Sequence, residues 1–158
     1  MVLAIAAVAA FAIFGLAGKS VARRRAPALP ATYLSGPHVT LASLLAAARG
    51  RPTLVTFWAS WCEPCRQEAG ALERFALSAR GRGRIVGVDF SEEPAPARAF
   101  IRRYGWTFAN LRDAYGTVGN SYRVPDLPTT FVIDSTGRIA AELRGPQTVA
   151  SLARALAA

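Results

Sequence analysis

A β-branched and aromatic run, Thr53 to Trp58, is followed after three residues by Cys62-Glu63-Pro64-Cys65, and a helical pattern begins there without a break. No other feature constrains the fold as much. A run this apolar and this short reads as a central strand covered on both faces, which calls for a parallel sheet with crossover helices. Cys62 and Cys65 are the only cysteines in the chain, at the spacing that closes a disulfide across the first turn of a helix. A sulfur at a helix N-terminus meets unsatisfied N–H groups and the positive end of the macrodipole, which favours thiolate over thiol. The bland reading, two buried structural cysteines, is weak for a tryptophan-flanked pair that leaves a strand and enters a helix.

With 158 residues the chain suits a single domain with a real core. Metal binding is not expected: two cysteines and one distant histidine, His38, cannot build a four-ligand zinc site, and no Cys-x-x-Cys-His segment is present for haem attachment. The net charge is +9, and all but one of its 19 basic residues are arginines. They are scattered through helices and turns, so nucleic acid is not an expected partner. A solvated arginine-rich surface is the plain reading, with attraction to anionic lipid or an acidic partner as a secondary role.

Met1 to Gly18 carries no charge and is built mainly from Ala, Val, Leu, Ile and Phe. It reads as a transmembrane anchor or signal-anchor, because a core helix would not be apolar on every face and then run into Lys19 and Arg23-Arg24-Arg25. Residues 19–30 read as a basic, proline-rich linker and 31–158 as the folded domain. The arginine cluster would place its side of the membrane in the cytoplasm.

Along the domain, Thr40 is a helix N-cap and Arg49-Gly50 closes that helix. The cysteine pair opens a helix from Glu63 to about Ala79. Arg84 to Phe90 is a second buried strand, Pro96 to Tyr104 an amphipathic helix, Thr107 to Leu111 an extended stretch, and Asp113 to Tyr122 a helix weakened by Gly116 and Gly119. Thr129 to Asp134 and Ile139 to Leu143 form a hairpin about Ser135-Thr136-Gly137, and Val149 to Ala157 a terminal helix. The predicted fold is α/β, with a central mixed sheet flanked by helices.

Phe57-Trp58-Ala59-Ser60-Trp61-Cys62-Glu63-Pro64-Cys65 between strand and helix, with Leu127-Pro128-Thr129-Thr130-Phe131 before a hairpin, resembles the thioredoxin superfamily. Within it the chain is most similar to the membrane-anchored ResA/TlpA branch of extracytoplasmic thiol–disulfide oxidoreductases, with their AhpC/TSA-redoxin-like domain. The resemblance runs from about Pro30 to the C-terminus and implies a thioredoxin-like fold with an N-terminal extension and an inserted helix, here Pro96 to Tyr104. That placement puts the domain outside the cytoplasm, in the bacterial cell envelope, against the charge rule, so the orientation stays open.

For the site, position makes Cys62 the nucleophile and Cys65 the resolving thiol. No cofactor beyond the Cys62–Cys65 disulfide is expected. Glu63 should oppose ionisation of Cys62, and Pro64 suits the first helical turn. In the resembled branch a Glu-Pro pair marks reductants, and a glutamate at the position of Glu68 modulates the cysteines. On the residues alone, Glu68 reads equally as a buried acid of raised pKa or as a solvated partner of Arg66 or Arg74. The resemblance further implies a cis Pro128 against the disulfide, and Leu127 pairing its backbone with an extended substrate. Trp61 would shape docking, and Thr129 completes the substrate-facing motif. The branch usually has a helix-kinking proline after Glu68, where this chain has Ala69-Gly70.

The implied partners are client protein disulfides, apocytochrome c among them, and a membrane thiol–disulfide electron donor. Two alternatives stand beside this reading. A thiol peroxidase would need a Pro-x-x-x-Thr-x-x-Cys pattern that the residues before Cys62 lack, and a redox-inert binding module would usually have lost a cysteine.

Overall fold

The structure, a computed structural model, describes residues 24–157. The anchor expected over residues 1–18 and the start of the basic stretch lie outside the described residues. No described helix is long and apolar enough to cross a membrane.

The elements run β1 (Thr32–Ser35), α1 (Leu41–Ala48), β2 (Thr53–Trp58), α2 (Glu63–Leu77), β3 (Ile85–Phe90), α3 (Pro94–Tyr104), β4 (Ala109–Asp113), α4 (Thr117–Tyr122), β5 (Thr129–Ile133), β6 (Ile139–Arg144) and α5 (Val149–Ala155). They form one sheet ordered β1-β4-β3-β2-β5-β6. β2, β3 and β4 are mutually parallel, while β1, β5 and β6 each run antiparallel to a neighbour. This is the thioredoxin-like α/β architecture that the sequence predicts.

All six residues of β2 are buried, because it has a strand on each side and helices over both faces. The two-residue period of a strand sends alternate side chains to opposite layers. Leu54 and Trp58 join Leu72, Phe75, Phe100, Trp106 and Leu152 beneath α2, α3 and α5. Val55 and Phe57 join Leu44, Val86, Leu111, Tyr122 and Phe131 beneath α1 and α4. The Trp58 indole donates to Asn110 Oδ1 at 3.1 Å, across the intervening β3. Gly87 on β3 leaves that path open, since a Cβ there would lie 2.1 Å from Asn110 Oδ1.

Thr40 caps α1 as expected, with Ser43 returning the hydrogen bond in a capping box. Several boundaries differ from those expected, and three of the differences have a clear physical cause. The helix expected from Pro96 starts at Pro94, since both prolines fit a first turn that lacks N–H partners. The extended stretch expected over Thr107 to Leu111 becomes a strand at Ala109–Asp113, because Glu73 on α2 holds the Thr107 N–H and hydroxyl outside the ladder. The helix expected from Asp113 begins only at Thr117: Gly116 is left-handed (φ 68°), and Asp113 ends β4 while its carboxylate accepts the Gly119 N–H at 2.8 Å. The inserted helix therefore brings a strand with it, as the crossover of a β3-α3-β4 unit.

The stretch predicted as linker is seated on the domain from Arg24 onward. Its backbone pairs with the start of β6 through Ile139 N–H to Arg24 O and Ala26 N–H to Gly137 O, both 2.9 Å. The Tyr122 hydroxyl then donates to Pro27 O at 2.8 Å.

Candidate active site

β2 delivers the chain to the C-terminal edge of the sheet, and a turn closed by Cys62 N–H to Ala59 O at 3.2 Å leads into α2. Cys62 is the N-cap of that helix. Its Sγ accepts the Cys65 N–H at 3.1 Å, in the place a serine or aspartate oxygen would take. Cys62 and Cys65 are joined as a disulfide with Cα atoms 5.3 Å apart. Cys62 retains 5% exposure and Cys65 only 1%, so an attacking partner meets Cys62 first. Once reduced, Cys62 has a backbone donor and the positive end of a helix to hold its thiolate.

Pro64 lies in the first helical turn, and Glu63 is exposed. Glu63 forms a 2.5 Å ion pair with Arg66, whose other nitrogen donates to Ser60 O. The guanidinium thus offsets the carboxylate expected to oppose ionisation of Cys62.

Glu68 resolves to the buried alternative. It is 1% exposed, one turn past Cys65, and pairs with neither Arg66 nor Arg74. Oε2 accepts the Gln147 N–H at 2.7 Å from the loop before α5, and Oε1 has no partner. Burial pushes its pKa up to about 7, with the Gln147 hydrogen bond pulling the other way.

On the facing side the Leu127–Pro128 peptide is cis, as the resemblance implies. A groove of about 490 Å³ opens beside Cys62, lined by Trp61, Glu63, Pro64, Phe90, Val124, Pro125, Asp126 and Leu127. Trp61, 58% exposed, forms its rim. Four of the predicted contact residues, Trp61, Glu63, Pro64 and Leu127, therefore converge on the sulfur. No hydrogen bond of the Leu127 main chain is formed within the described residues, which leaves it available to an extended peptide.

Pro128 and Thr129 are not part of that lining. Pro128 is buried, with its carbonyl accepting the Gly145 N–H at 2.9 Å. Thr129 is fully buried, its hydroxyl donating to Asp126 O at 2.8 Å. Its side chain holds the loop that shapes the groove and has no open face of its own.

A carboxylate pair behind the loop was not anticipated. Glu92 accepts the Ser60 N–H at 2.6 Å and the Ser60 hydroxyl, fixing the segment just before Trp61. Asp89, at the end of β3, is fully buried, and neither of its oxygens has a hydrogen-bond donor. Burial, then a hydrogen bond to Glu92 and the Glu92 charge, raise its pKa to about 9, against the pull of Arg112. With a proton on Asp89 the two carboxyls share a hydrogen bond; without it they are two acceptors face to face. The sequence signal was an acidic residue closing the apolar run Ile-Val-Gly-Val-Asp-Phe.

An N-capping disulfide at the C-terminal edge of this sheet, opposite a cis-proline loop, defines the class of thioredoxin-fold thiol–disulfide oxidoreductases. The profile of the AhpC/TSA family matches residues 22–142, and the chain belongs to that family. It is 35% identical over 119 residues to the thioredoxin-like protein YneN of Bacillus subtilis, covering 73% of this chain and 67% of that one. It is 29% identical over 126 residues to the thiol-disulfide oxidoreductase ResA of Bacillus thuringiensis, covering 79% and 70%.

Among solved structures it is similar to a thioredoxin-family thiol:disulfide interchange protein of Chlorobium tepidum. That match has a TM-score of 0.71 at 25% identity, over 85% of this chain and 94% of that one. It is also similar to a secreted disulfide oxidoreductase of Mycobacterium tuberculosis homologous to DsbE, with a TM-score of 0.67 at 27% identity over 82% and 94%. The chain is a thiol–disulfide oxidoreductase of the ResA/DsbE type.

Proposed function

We propose that this protein is a protein-disulfide reductase of the cell envelope, tethered by residues 1–18 and working with no cofactor beyond Cys62 and Cys65. The observation that carries the reading is the pairing of a groove-facing sulfur at a helix N-cap with a buried carboxyl, Glu68, one turn behind its partner.

In the reduced protein the Cys62 thiolate attacks one sulfur of a client disulfide. A mixed disulfide forms and the other client sulfur leaves as a thiolate. Glu68 takes the proton of Cys65, whose thiolate attacks Cys62 Sγ, releasing the second client thiolate and closing the Cys62–Cys65 bond. Two electrons have passed to the client, and a membrane thiol donor returns them. Leu127 offers its backbone to the client strand, while Trp61, Phe90 and Pro125 flank the scissile sulfurs with apolar surface. The Glu63-Pro64 pair supports the reducing direction, and the relatives' names support disulfide exchange in general. Among clients, apocytochrome c is the specific candidate.

Insulin reduction by the wild-type chain, Cys62→Ser and Cys65→Ser tests the roles. Both variants should lose turnover, and only Cys65→Ser should accumulate client mixed disulfides in envelope extracts. Activity surviving in Cys62→Ser would overturn the assigned nucleophile, and a client trapped without a Cys-x-x-Cys-His segment would exclude the cytochrome reading.

A further inference from the structure

The charges of the molecule are divided between the two ends of its sheet. Seven of the ten acidic residues lie in the first two turns of α2, at or just after the ends of β3 and β4, or before β5, around the disulfide. The opposite end is built differently. There β2 and β3 begin side by side, with Leu54 N–H donating to Arg84 O at 2.7 Å. The end of β5 lies against the start of β2 (Ile133 opposite Thr53), and the start of β6 against the end of β5 (Ile139 opposite Ile133). Arg25 bridges to Arg138 at the same place.

The connections into β2, β3 and β6 at this end carry arginine: Arg49 and Arg51 enter β2, Arg80 and Arg82 precede β3, Arg138 leads into β6, and Arg25 lies beside it. All six are exposed. At the disulfide end Arg66, Arg112 and Arg144 pair with carboxylates, whereas Arg49, Arg51, Arg80 and Arg82 form no ion pair among the described residues. Two acidic residues approach this end, and both are engaged: Asp134 accepts the Thr136 and Arg138 N–H groups, and Glu73 holds Thr107. The buried Arg84 is destabilised as a cation first by burial and then by the charge of Arg51, which lies close enough to it to be felt.

Two further observations point to the kind of partner. Leu77 is 55% exposed and lies against Arg82, which donates to its carbonyl at 3.4 Å. Exposed leucine among arginines suits a headgroup–acyl boundary. The chain also joins the domain at this end, through Arg24 to Ala26, directly after Lys19, Arg23 and the uncharged Met1 to Gly18. We propose that this arginine pole is a docking surface for anionic phospholipid headgroups, seating the domain on a bilayer with the Cys62–Cys65 end turned outward. The surface acts independently of the direction of thiol exchange. It rests on tethering by residues 1–18 only for proximity.

The test uses the full chain in nanodiscs of phosphatidylcholine alone or mixed with phosphatidylglycerol, read by hydrogen exchange of backbone amides. On the anionic discs, exchange in residues 45–53 and 78–84 should slow by roughly threefold or more and recover at high salt, while residues 58–66 stay unchanged. The triple variant Arg51→Glu, Arg80→Glu, Arg82→Glu should lose the protection, and the milder triple Arg→Gln variant should lose part of it with an unchanged near-ultraviolet spectrum. Reduction of either variant's disulfide by dithiothreitol should match wild type, which keeps this outcome separate from any failure of the redox reading. Equal exchange on both lipids would overturn the proposal. So would protection by single-stranded DNA on neutral discs with none on anionic ones, which would assign the pole to nucleic acid.

Discussion

Glu68 is the residue on which the chemistry of resolution turns. A carboxyl titrating near 7 is part ionised at neutrality, so it can both accept and return the Cys65 proton. Glu68→Gln keeps the size and the Gln147 contact but removes the exchangeable charge. Its turnover with an insulin substrate should fall roughly 10²-fold near neutral pH and lose the inflection near pH 7. Alkylation of reduced Cys62 should keep its wild-type rate, because that thiolate is held by the Cys65 N–H and the helix end. Turnover and pH profile both unchanged would remove Glu68 from the mechanism. The residue was visible in the sequence by its spacing from Cys65, but its burial was not, because the loop at Gln147 that covers it is 79 residues away. Asp89 and Glu92 escaped for a related reason. Each looks like an ordinary acidic residue until the register of β3 against β2 places Asp89 beside Trp58.

At the level of elements, what the sequence showed was whatever local periodicity determines: β2, α2, β3, the hairpin and the Thr40 cap. What it hid was set by distant contacts, such as the Glu73 grip on Thr107 that shifts β4, and the pairing of Arg24 to Ala26 with β6. Gly87 shows how such a contact constrains a strand. The run Ile85–Phe90 would gain β propensity from a side chain there, yet a Cβ would sit 2.1 Å from Asn110 Oδ1 and 2.9 Å from Trp58 Nε1. Both neighbours are buried and bonded to each other, so neither yields easily. Gly87→Ala should therefore destabilise the fold by about 1–3 kcal/mol, measured by urea unfolding, with an altered near-ultraviolet tryptophan signal. A neutral or stabilising result would mean that the Trp58–Asn110 bond does not set the spacing of β2 and β4 about β3.

At the scale of the whole molecule, two of its three buried acids, Glu68 and Asp89, have raised pKa values, and these make its stability depend on pH. Glu68 titrates near 7 when folded against a model value of 4.5, and Asp89 near 9 against 3.8. Both folded values are raised, so between the unfolded and folded pKa the native state holds protons that the unfolded chain has released. Stability must then fall with rising pH: the contribution is complete below the unfolded value and lost by the folded one. For Glu68 the loss falls between about pH 4.5 and 7 and amounts to about 3 kcal/mol. Asp89 continues it to about pH 9, where the deprotonated carboxylate faces Glu92 with Arg112 as the nearest compensating charge. The two are separable by variant. Urea unfolding of the oxidised chain in mild detergent should show Glu68→Gln flattening the limb below pH 7 while leaving the limb from 7 to 9. Asp89→Asn should flatten that upper limb by as much as about 1.4 kcal/mol per pH unit. Because the introduced amide could still donate to Glu92, the variant should also match wild type at pH 6, where the native Asp89 holds its proton. An upper limb that persists in Asp89→Asn would show that another group titrates there, and would remove the proton shared by Asp89 and Glu92 from the account of how the Ser60 loop is held.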